Sequence, residues 1–388
     1  MQEVILNQWL AQERFLWNHF VAQEKPKKDL NQKFLSSYDL DCQLPFLKKE
    51  YQWIIVPSQP LQQISRFLEL DLQAYKKNPK VHGFPKFKKK YFQEYKSIYF
   101  PQFSENWIAD KTIQIPCLGR GKDKQIRLKK HRDMSGKLKT VSITKDVDRW
   151  YACCSCEIPD VCPLEFQLEN AVGIDMGLKE FVVLSDASVI DNPHLLKKSQ
   201  KKLSKAQHDS DRKKLGSKNR IKAKQQVARI HRKIRNKRKD FQHKETCSIA
   251  KAYDFVFTEN LAVQNMMANH HLAKAIGDVS WSQFLLLLEY KLLQKGGQLL
   301  KIGKSDPSSQ LCSRCNSRHP MPLSERTYTC PVCSLEMDRD LNAAINILQL
   351  GIRKYFGKDA VGTTDSINTC GDTQVVSMKQ EATAFKRW

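Results

Sequence analysis

Two pairs of cysteines near the C-terminus carry the most specific chemistry in the chain. Cys312-Ser313-Arg314-Cys315 and Cys330-Pro331-Val332-Cys333 are separated by fourteen residues. Two such knuckles bring four thiolates into tetrahedral reach, which is the ligand demand of one structural Zn2+. Four unrelated reduced thiols would be the bland alternative, and two tight pairs so close together argue against it. Cys153, Cys154, Cys156 and Cys162 form a second group. Neighbours at 153 and 154 point to opposite faces of a strand. These four are therefore read as strand residues packing as small hydrophobes, not as a second metal site.

Three carboxylates stand out by context. Asp175 ends the apolar run Val172-Gly173-Ile174, and Glu259 ends Tyr253-Asp254-Phe255-Val256-Phe257-Thr258. Asp340 opens the helical pattern Leu341-Asn342-Ala343-Ala344-Ile345-Asn346-Ile347-Leu348. A charge at the end of a buried strand is costly unless it is paired, hydrogen-bonded or bound to a metal. Mg2+ (or Mn2+) prefers such hard oxygen ligands. Two ions about 4 Å apart can activate water and stabilise the leaving oxygen of a phosphodiester. Taken singly, each acid has another explanation. A strand-terminal Asp often forms a turn, and an Asp in a first helical turn favours the helix dipole. Asp338 also competes with Asp340 for the third position.

The hydrophobic pattern supplies the elements that would position these groups. Residues 1 to about 100 read as helical, with Trp9, Leu10, Phe15, Leu16 and Phe20, then Leu61, Ile64, Phe67 and Leu68, at helical spacing. Pro45, Pro57 and Pro60 read as punctuation between helices. From 101 to 169 the period falls to two at Ile113, Ile115, Ile126, Leu128, Val141 and Ile143, with a turn at Met134-Ser135-Gly136-Lys137, which predicts a small β-barrel or part of one. Val172–Asp175 and Phe181–Leu184 then form a hairpin with a carboxylate ending its first strand. The segment from Lys197 to Lys244 reads as a long helical stretch with about twenty basic residues. Same-sign neighbours at i,i+4 destabilise a free helix, and a polyphosphate backbone would relieve them. Gly83-Phe84-Pro85-Lys86-Phe87-Lys88-Lys89-Lys90 mixes lysine with aromatics, suiting either a solvated turn or a strip that holds phosphates and stacks bases.

The 388 residues carry 65 Lys and Arg against 41 Asp and Glu, a formal charge of +24. So large an excess makes nucleic acid the first partner to consider. An anionic membrane competes, but no run approaches the roughly eighteen apolar residues of a bilayer span. The N-terminus lacks a secretory layout. The twelve cysteines fit reduced thiols and metal better than disulfides. A soluble prokaryotic cytoplasmic protein is the expectation.

The order of these parts resembles the TnpB family of transposon-encoded RNA-guided endonucleases, relatives of the type V CRISPR effectors. The matching residues are Gly173-Ile174-Asp175-Met176-Gly177-Leu178, Glu259-Asn260-Leu261, the Cys312 to Cys333 knuckles and Arg339-Asp340-Leu341-Asn342-Ala343-Ala344-Ile345-Asn346. Ser308-Ser309-Gln310, Gly216-Ser217-Lys218-Asn219-Arg220 and the Gly83 to Lys88 strip also fit, so the likeness covers most of the chain. It implies an α/β, RuvC-like (RNase H-type) nuclease core with an inserted zinc ribbon, plus an N-terminal helical recognition region and a small β-barrel wedge. The three RuvC carboxylates carry over to Asp175, Glu259 and Asp340. The family places its third acid just before x-Asn-Ala-Ala, which favours Asp340 over Asp338.

The implied organisation is a helical lobe at 1–100, the wedge at 101–169, nuclease at 170–311 with basic helices at 197–244, the zinc ribbon at 312–336, nuclease again at 337–351 and a flexible tail at 352–388. Lys86, Phe87, Lys88, Lys218, Arg220, Arg232, Arg235, Arg238 and Arg314 are the candidate nucleic-acid contacts. The implied partners are a guide RNA from the transposon end and double-stranded target DNA, with no membrane and a monomeric protein. TnpB proteins usually begin with a wedge strand, whereas Met1-Gln2-Glu3-Val4 leads straight into a helix, which points to a truncated wedge.

Competing readings are a nuclease-silent RNA-guided DNA-binding protein, a miniature type V effector and a DNA-joining transposase. The first should have lost an acid, and none of the three is missing. The last would need a tyrosine nucleophile, and His270-His271 reads as a surface pair without one.

Overall fold

The computed structural model describes residues 2–89, 96–119, 124–130, 133–304, 306–322 and 325–357. Lys90 of the basic strip and residues 358–388 of the tail therefore lie outside the described residues. The chain divides into two compact units, Met1–Asp160 and Val161–Trp388.

The first unit opens with helices α1 (Gln2–Asp29), α2 (Ser37–Glu50) and α3 (Ser58–Lys77). Ser36 and Asp39 form a reciprocal capping box at the start of α2, satisfying two backbone donors the helix leaves open. Pro45 lies inside α2, contrary to the punctuation expected of it. Burial of Leu40, Leu44 and Leu47 holds that helix together across the missing donor. Pro60 sits in the first turn of α3, where no intrahelical donor is needed.

The β elements follow as β1 (Ser97–Phe100), β2 (Thr112–Gln114), β3 (Gln125–Arg127), β4 (Lys137–Asp146) and β5 (Arg149–Glu157). They form an antiparallel sheet ordered β1-β4-β5 and a β2-β3 ribbon. The turn before β4 requires Gly136, whose φ is +85° and where a Cβ would meet the Glu157 carbonyl oxygen at 2.1 Å. Trp9, Phe20, Leu61 and Ile64 share one core with Ile98, Phe100, Ile113, Val141 and Ile143. The expected division between a helical lobe and a wedge at 100/101 is thus not a structural boundary, since both halves bury the same apolar surface.

The second unit begins earlier than 170. Leu164 N–H donates to the Gly296 carbonyl at 2.8 Å, and Phe166 stacks on Phe356 with ring centroids 4.0 Å apart. Its strands β6 (Ala171–Asp175), β7 (Glu180–Leu184) and β8 (Val189–Asp191) form an antiparallel run. A helical hairpin follows, α4 (Leu195–Asp211) and α5 (Lys218–Ala252). The basic helical stretch expected at 197–244 is this pair of helices. Gly216 turns between them at φ +79°, and the Ser217 hydroxyl caps α5 by accepting from Arg220 N–H at 3.1 Å. Leu203, Ile230 and Ile234 pack the pair together.

Next come β9 (Phe255–Thr258), α6 (Val263–Met267), α7 (His270–Val279), α8 (Trp281–Leu293) and β10 (Gln298–Lys301). The sheet runs β10-β9-β6-β7-β8, with β10, β9 and β6 parallel. The residues of β9 and the first four of β6 are buried, as strands covered on both faces must be. Val172, Ile174 and Val256 pack against Ile249, Trp281, Phe284 and Leu288. Ala171, Phe255 and Phe257 pack against Ile347 and Ile352. The last elements are the β11 (Thr327–Thr329) and β12 (Glu336–Asp338) hairpin and helix α9 (Arg339–Phe356). Helix α9 outlasts the tail boundary expected at 351, because Ile352 is buried at 2 % exposure and Phe356 stacks on Phe166. Among the described residues, no helix is long and apolar enough to cross a membrane.

Candidate active site

Ile174 on β6 pairs with Thr258 on β9 in a parallel ladder. The next residue on each strand is a carboxylate, Asp175 and Glu259. Neighbouring strands lie about 4.8 Å apart, so both acids leave the same edge of the sheet side by side. Helix α9 crosses β6 closely and brings the third acid. A Cβ at Gly173 would lie 2.2 Å from the Ala344 carbonyl oxygen and 2.7 Å from Leu348 N.

Asp338 and Asp340 hold different places at the start of α9. Asp338 is the N-cap of α9, and its Oδ1 accepts from Asp340 N–H at 2.9 Å and Leu341 N–H at 3.1 Å. The cap fixes the first turn, and Asp340 projects from that turn.

Asp175 feels the charges of both Glu259 and Asp340, although among the described residues the three carboxylates are not gathered tightly enough to form a ready ligand set as the four knuckle cysteines are. Burial pushes the Asp175 carboxyl up to about 8, and the charges of Glu259 and Asp340 push it the same way. The Met176 amide and Arg339 oppose the shift only in part. Asp340 is also raised, first by burial, then by Asp338 and Glu180, against Arg326 and Arg339. Arg326 Nη1 stands 3.8 Å from Asp340 Oδ2. Ser308 Oγ donates to Glu259 Oε1 at 2.5 Å. Crowded carboxylates that repel one another need either a proton or a cation. Three hard-oxygen donors fit a divalent ion such as Mg2+ or Mn2+.

The four cysteines of the knuckles meet as their spacing predicts. Their sulfurs all lie within 4.8 Å of one another. Cys312 and Cys333 are 3.5 Å apart, and Cys315 and Cys330 3.6 Å. Tetrahedral zinc with Zn–S bonds of about 2.3 Å separates its sulfurs by about 3.8 Å, so the cluster can hold zinc. The Ser317 hydroxyl and the Cys333 amide hold the Cys330 thiol down to about 5, while burial pushes Cys333 up to about 12. A cation would let all four ionise. Tyr328, at 0 % exposure, packs against the cluster.

Comparison with known proteins agrees with this architecture. A family model named OrfB_IS605 and described as "Probable transposase" matches residues 128–270, and one described as "Cas12f1-like, TNB domain" matches 281–347. A Streptomyces pristinaespiralis protein named "Putative RNA-guided DNA endonuclease" is 33 % identical over 331 residues, covering 85 % of this chain and 80 % of that protein. The chain belongs to the TnpB family. "Putative RNA-guided DNA endonuclease InsQ" of Escherichia coli K12 is 30 % identical over 370 residues, 90 % of this chain and 89 % of its own. The Cas12f1 chain of a Cas12f1-sgRNA-target DNA complex shares the fold at a TM-score of 0.54 and 16 % identity, covering 89 % of this chain and 83 % of that one. The mixed α/β fold expected from the sequence is the fold of this TnpB-family chain, shared with the Cas12f1 chain, and its four-cysteine cluster is compatible with the expected zinc ribbon.

The candidate nucleic-acid residues of the TnpB-family chain separate into two groups. Lys86, Phe87, Lys218, Arg235 and Arg314 are exposed. Others are engaged within the fold. Lys88 Nζ lies 3.4 Å from the centre of the Trp17 ring. Arg220 donates to the Lys213 carbonyl at 2.8 Å and closes the turn before α5. Arg238 donates to Asp278 at 3.0 Å and tethers α5 to α7. Arg232 is half-buried on α5.

Cys153 and Cys154 on β5 are exposed, as is Cys162, which lies beyond the strand, so the expectation that these three pack as small strand hydrophobes is corrected; Cys156 is half-buried against the core of the first unit. Among the described residues they join no metal cluster. His270 is exposed at the start of α7. Sequence reasoning missed two neighbours of the acids, the Ser308 hydroxyl on Glu259 and Glu180 beside Asp340. Ser308 stood in view in the Ser308-Ser309-Gln310 motif, but its target is 49 residues away and no periodicity connects them.

Proposed function

We propose that the chain is an RNA-guided DNA endonuclease that cuts by metal-dependent hydrolysis of phosphodiesters. The reading is supported by the placement of Asp175 at the end of β6 beside Glu259, one residue past the paired strand β9, with Asp340 in the first turn of α9, the helix packed on β6. Names of relatives that cover most of their own length support the same activity.

Asp175, Glu259 and Asp340 would hold two Mg2+ or Mn2+ ions. Bound there, the ions supply an activated water and neutralise charge on the leaving oxygen. The chain's own residues prepare that state. Asp175 keeps a proton while the site is metal-free and gives it up as a ligand. The cap made by Asp338 fixes the turn that carries Asp340. One Zn2+ on Cys312, Cys315, Cys330 and Cys333 would hold the ribbon beside the acids, with exposed Arg314 facing a nucleic-acid strand.

The partners are a guide RNA from the transposon end and double-stranded DNA bearing a short adjacent motif. Base pairing would read the target, while the Met1–Asp160 unit reads duplex shape and the motif. The exposed cations of α4 and α5 suit a phosphate backbone. We place the working protein in a prokaryotic cytoplasm as a monomer around one RNA.

The test is co-expression with the DNA that follows the gene, then sequencing of the co-purified RNA. The same preparation is offered a plasmid library matching that RNA, with and without Mg2+. A discrete RNA with Mg2+-dependent cutting at matched plasmids is expected. A discrete RNA with no cutting would favour the nuclease-silent binder, and no specific RNA would sink the guided reading.

A further inference from the structure

Glu259 sits one residue beyond its strand, where nothing in the β-ladder fixes its side chain. What fixes it comes from another part of the chain. Ser308, buried at 3 % exposure, lies in a 3-10 turn (Ser308–Gln310) and donates its hydroxyl to Glu259 Oε1. That turn is itself held from several sides. Ile302 N–H donates to the Thr258 carbonyl at 2.9 Å, continuing the β10–β9 ladder toward the turn. Asp306 Oδ2 accepts from Gly303 N–H at 2.6 Å, and the Asp306 carbonyl accepts from Ser308 N–H at 2.9 Å.

Helix α9 clamps the same segment with a polar stripe at i, i+4 and i+7. Asn346, 1 % exposed, donates its amide to the carbonyls of Ser308 at 2.8 Å and Leu311 at 2.7 Å. Asn342, 0 % exposed, donates to the Leu311 carbonyl at 2.7 Å and accepts from Ser313 N–H at 3.0 Å. Gln349 donates to the Ser313 carbonyl at 3.0 Å. Ser313 is inside the first cysteine knuckle. A continuous hydrogen-bonded chain therefore runs from the knuckle through the α9 amides to Ser308 and ends on Glu259.

We propose that Ser308 is a positioning residue that fixes the Glu259 carboxylate for divalent-ion binding. This rests on the carboxylate site proposed above. With Oε1 engaged by the hydroxyl, Glu259 presents its other oxygen to the ion in one rotamer. Two buried asparagines spend their hydrogen bonds on carbonyls of the Ser308–Leu311 segment, an arrangement that only pays if that segment must not move. Groups that orient metal ligands typically change metal affinity by about ten-fold or more when removed.

The experiment uses the full-length, zinc-loaded protein and Mn2+ as the probe. Free Mn2+ is followed by electron paramagnetic resonance during titration of wild type, Ser308→Ala, Ser308→Thr and Asp175→Ala. For Ser308→Ala we expect Mn2+ affinity to fall about ten-fold, with zinc content and unfolding midpoint unchanged. Ser308→Thr, which keeps the hydroxyl, should restore it. In the cleavage assay, Ser308→Ala should need more Mg2+ for half-maximal rate yet recover near wild-type rate at saturation. Normal Mn2+ binding by Ser308→Ala beside loss of binding in Asp175→Ala would overturn the positioning role alone. Equal weakening by Ser308→Ala and Ser308→Thr, or loss of zinc with either, would also overturn it. Normal binding by Asp175→Ala would overturn the carboxylate site itself, and the positioning role with it.

Discussion

Gly173 and Ala344 touch backbone to backbone: a Cβ on the glycine would lie 2.2 Å from the alanine's carbonyl oxygen. Gly173 is two residues before Asp175, and Ala344 is one helical turn after Asp340. The contact therefore sets how far the third acid stands from the first. Gly351 repeats the arrangement further along α9, where a Cβ would meet the Phe257 ring at 2.1 Å.

Gly173→Ala should push α9 off the sheet. Overpacking of this kind costs about 1–3 kcal/mol, and the displacement moves Asp340 away from Asp175. Cutting should fall much further than stability does. Urea unfolding and a plasmid cleavage assay on the same preparation check both. Cutting at the wild-type rate would mean that the helix can shift without disturbing the acids.

Asp338 and Asp340 should separate cleanly under mutation. Asp338→Ala removes two hydrogen bonds to the first turn of α9, a loss of about 1 kcal/mol, and should leave measurable cutting. Asp340→Asn removes a carboxylate that burial already disfavours. It should unfold no more easily than wild type and cut nothing. The reverse pattern, an inactive Asp338→Ala and an active Asp340→Asn, would exchange their roles.

Zinc should be a structural requirement. Cys330→Ser removes one of four ligands whose sulfurs lie within 4.8 Å of one another, and the purified protein should contain less than one zinc per chain by elemental analysis. Tyr328, buried against the cluster, should then become accessible to quenching of its fluorescence by iodide. Full zinc content in the variant would mean that the cluster binds through other ligands.

Much of this was legible in the sequence because it is local. The knuckle spacing, the strand ending at Asp175 and the helix opening at Asp340 each lie within a few residues. The exact place of the α4–α5 turn was not legible because charge dominates that stretch, and only Gly216 and the Ser217 cap mark the break. The single core of the first unit was missed because it joins helices and strands far apart in the chain, such as Trp9 and Val141. Arg220 and Arg238 looked like phosphate contacts by composition. Their partners, Lys213 and Asp278, are fixed by how the hairpin folds and by where α7 packs. Ser308 reaches Glu259 only through tertiary structure.

The carboxylates also predict an unusual pH dependence. In the unfolded chain Asp175 ionises in the ordinary range near 4. In the folded, metal-free protein it keeps its proton up to about 8, chiefly through burial and then through Glu259 and Asp340. Between those values the folded state holds one more proton than the unfolded state, so raising the pH destabilises the fold. The slope for one proton is at most about 1.4 kcal/mol per pH unit. Because the acids interact, that proton belongs to the cluster rather than to one residue. The check is urea unfolding in Mg2+-free buffer at several values from pH 5.5 to 8, for wild type and Asp175→Asn. Groups outside the cluster titrate equally in both, so the difference isolates the cluster. Wild type should lose stability relative to Asp175→Asn as pH rises. Added Mg2+ should stabilise wild type more at pH 8 than at pH 6, because the ion competes with the proton. Parallel curves for the two proteins would mean that Asp175 takes up no proton on folding, against the burial that raises it.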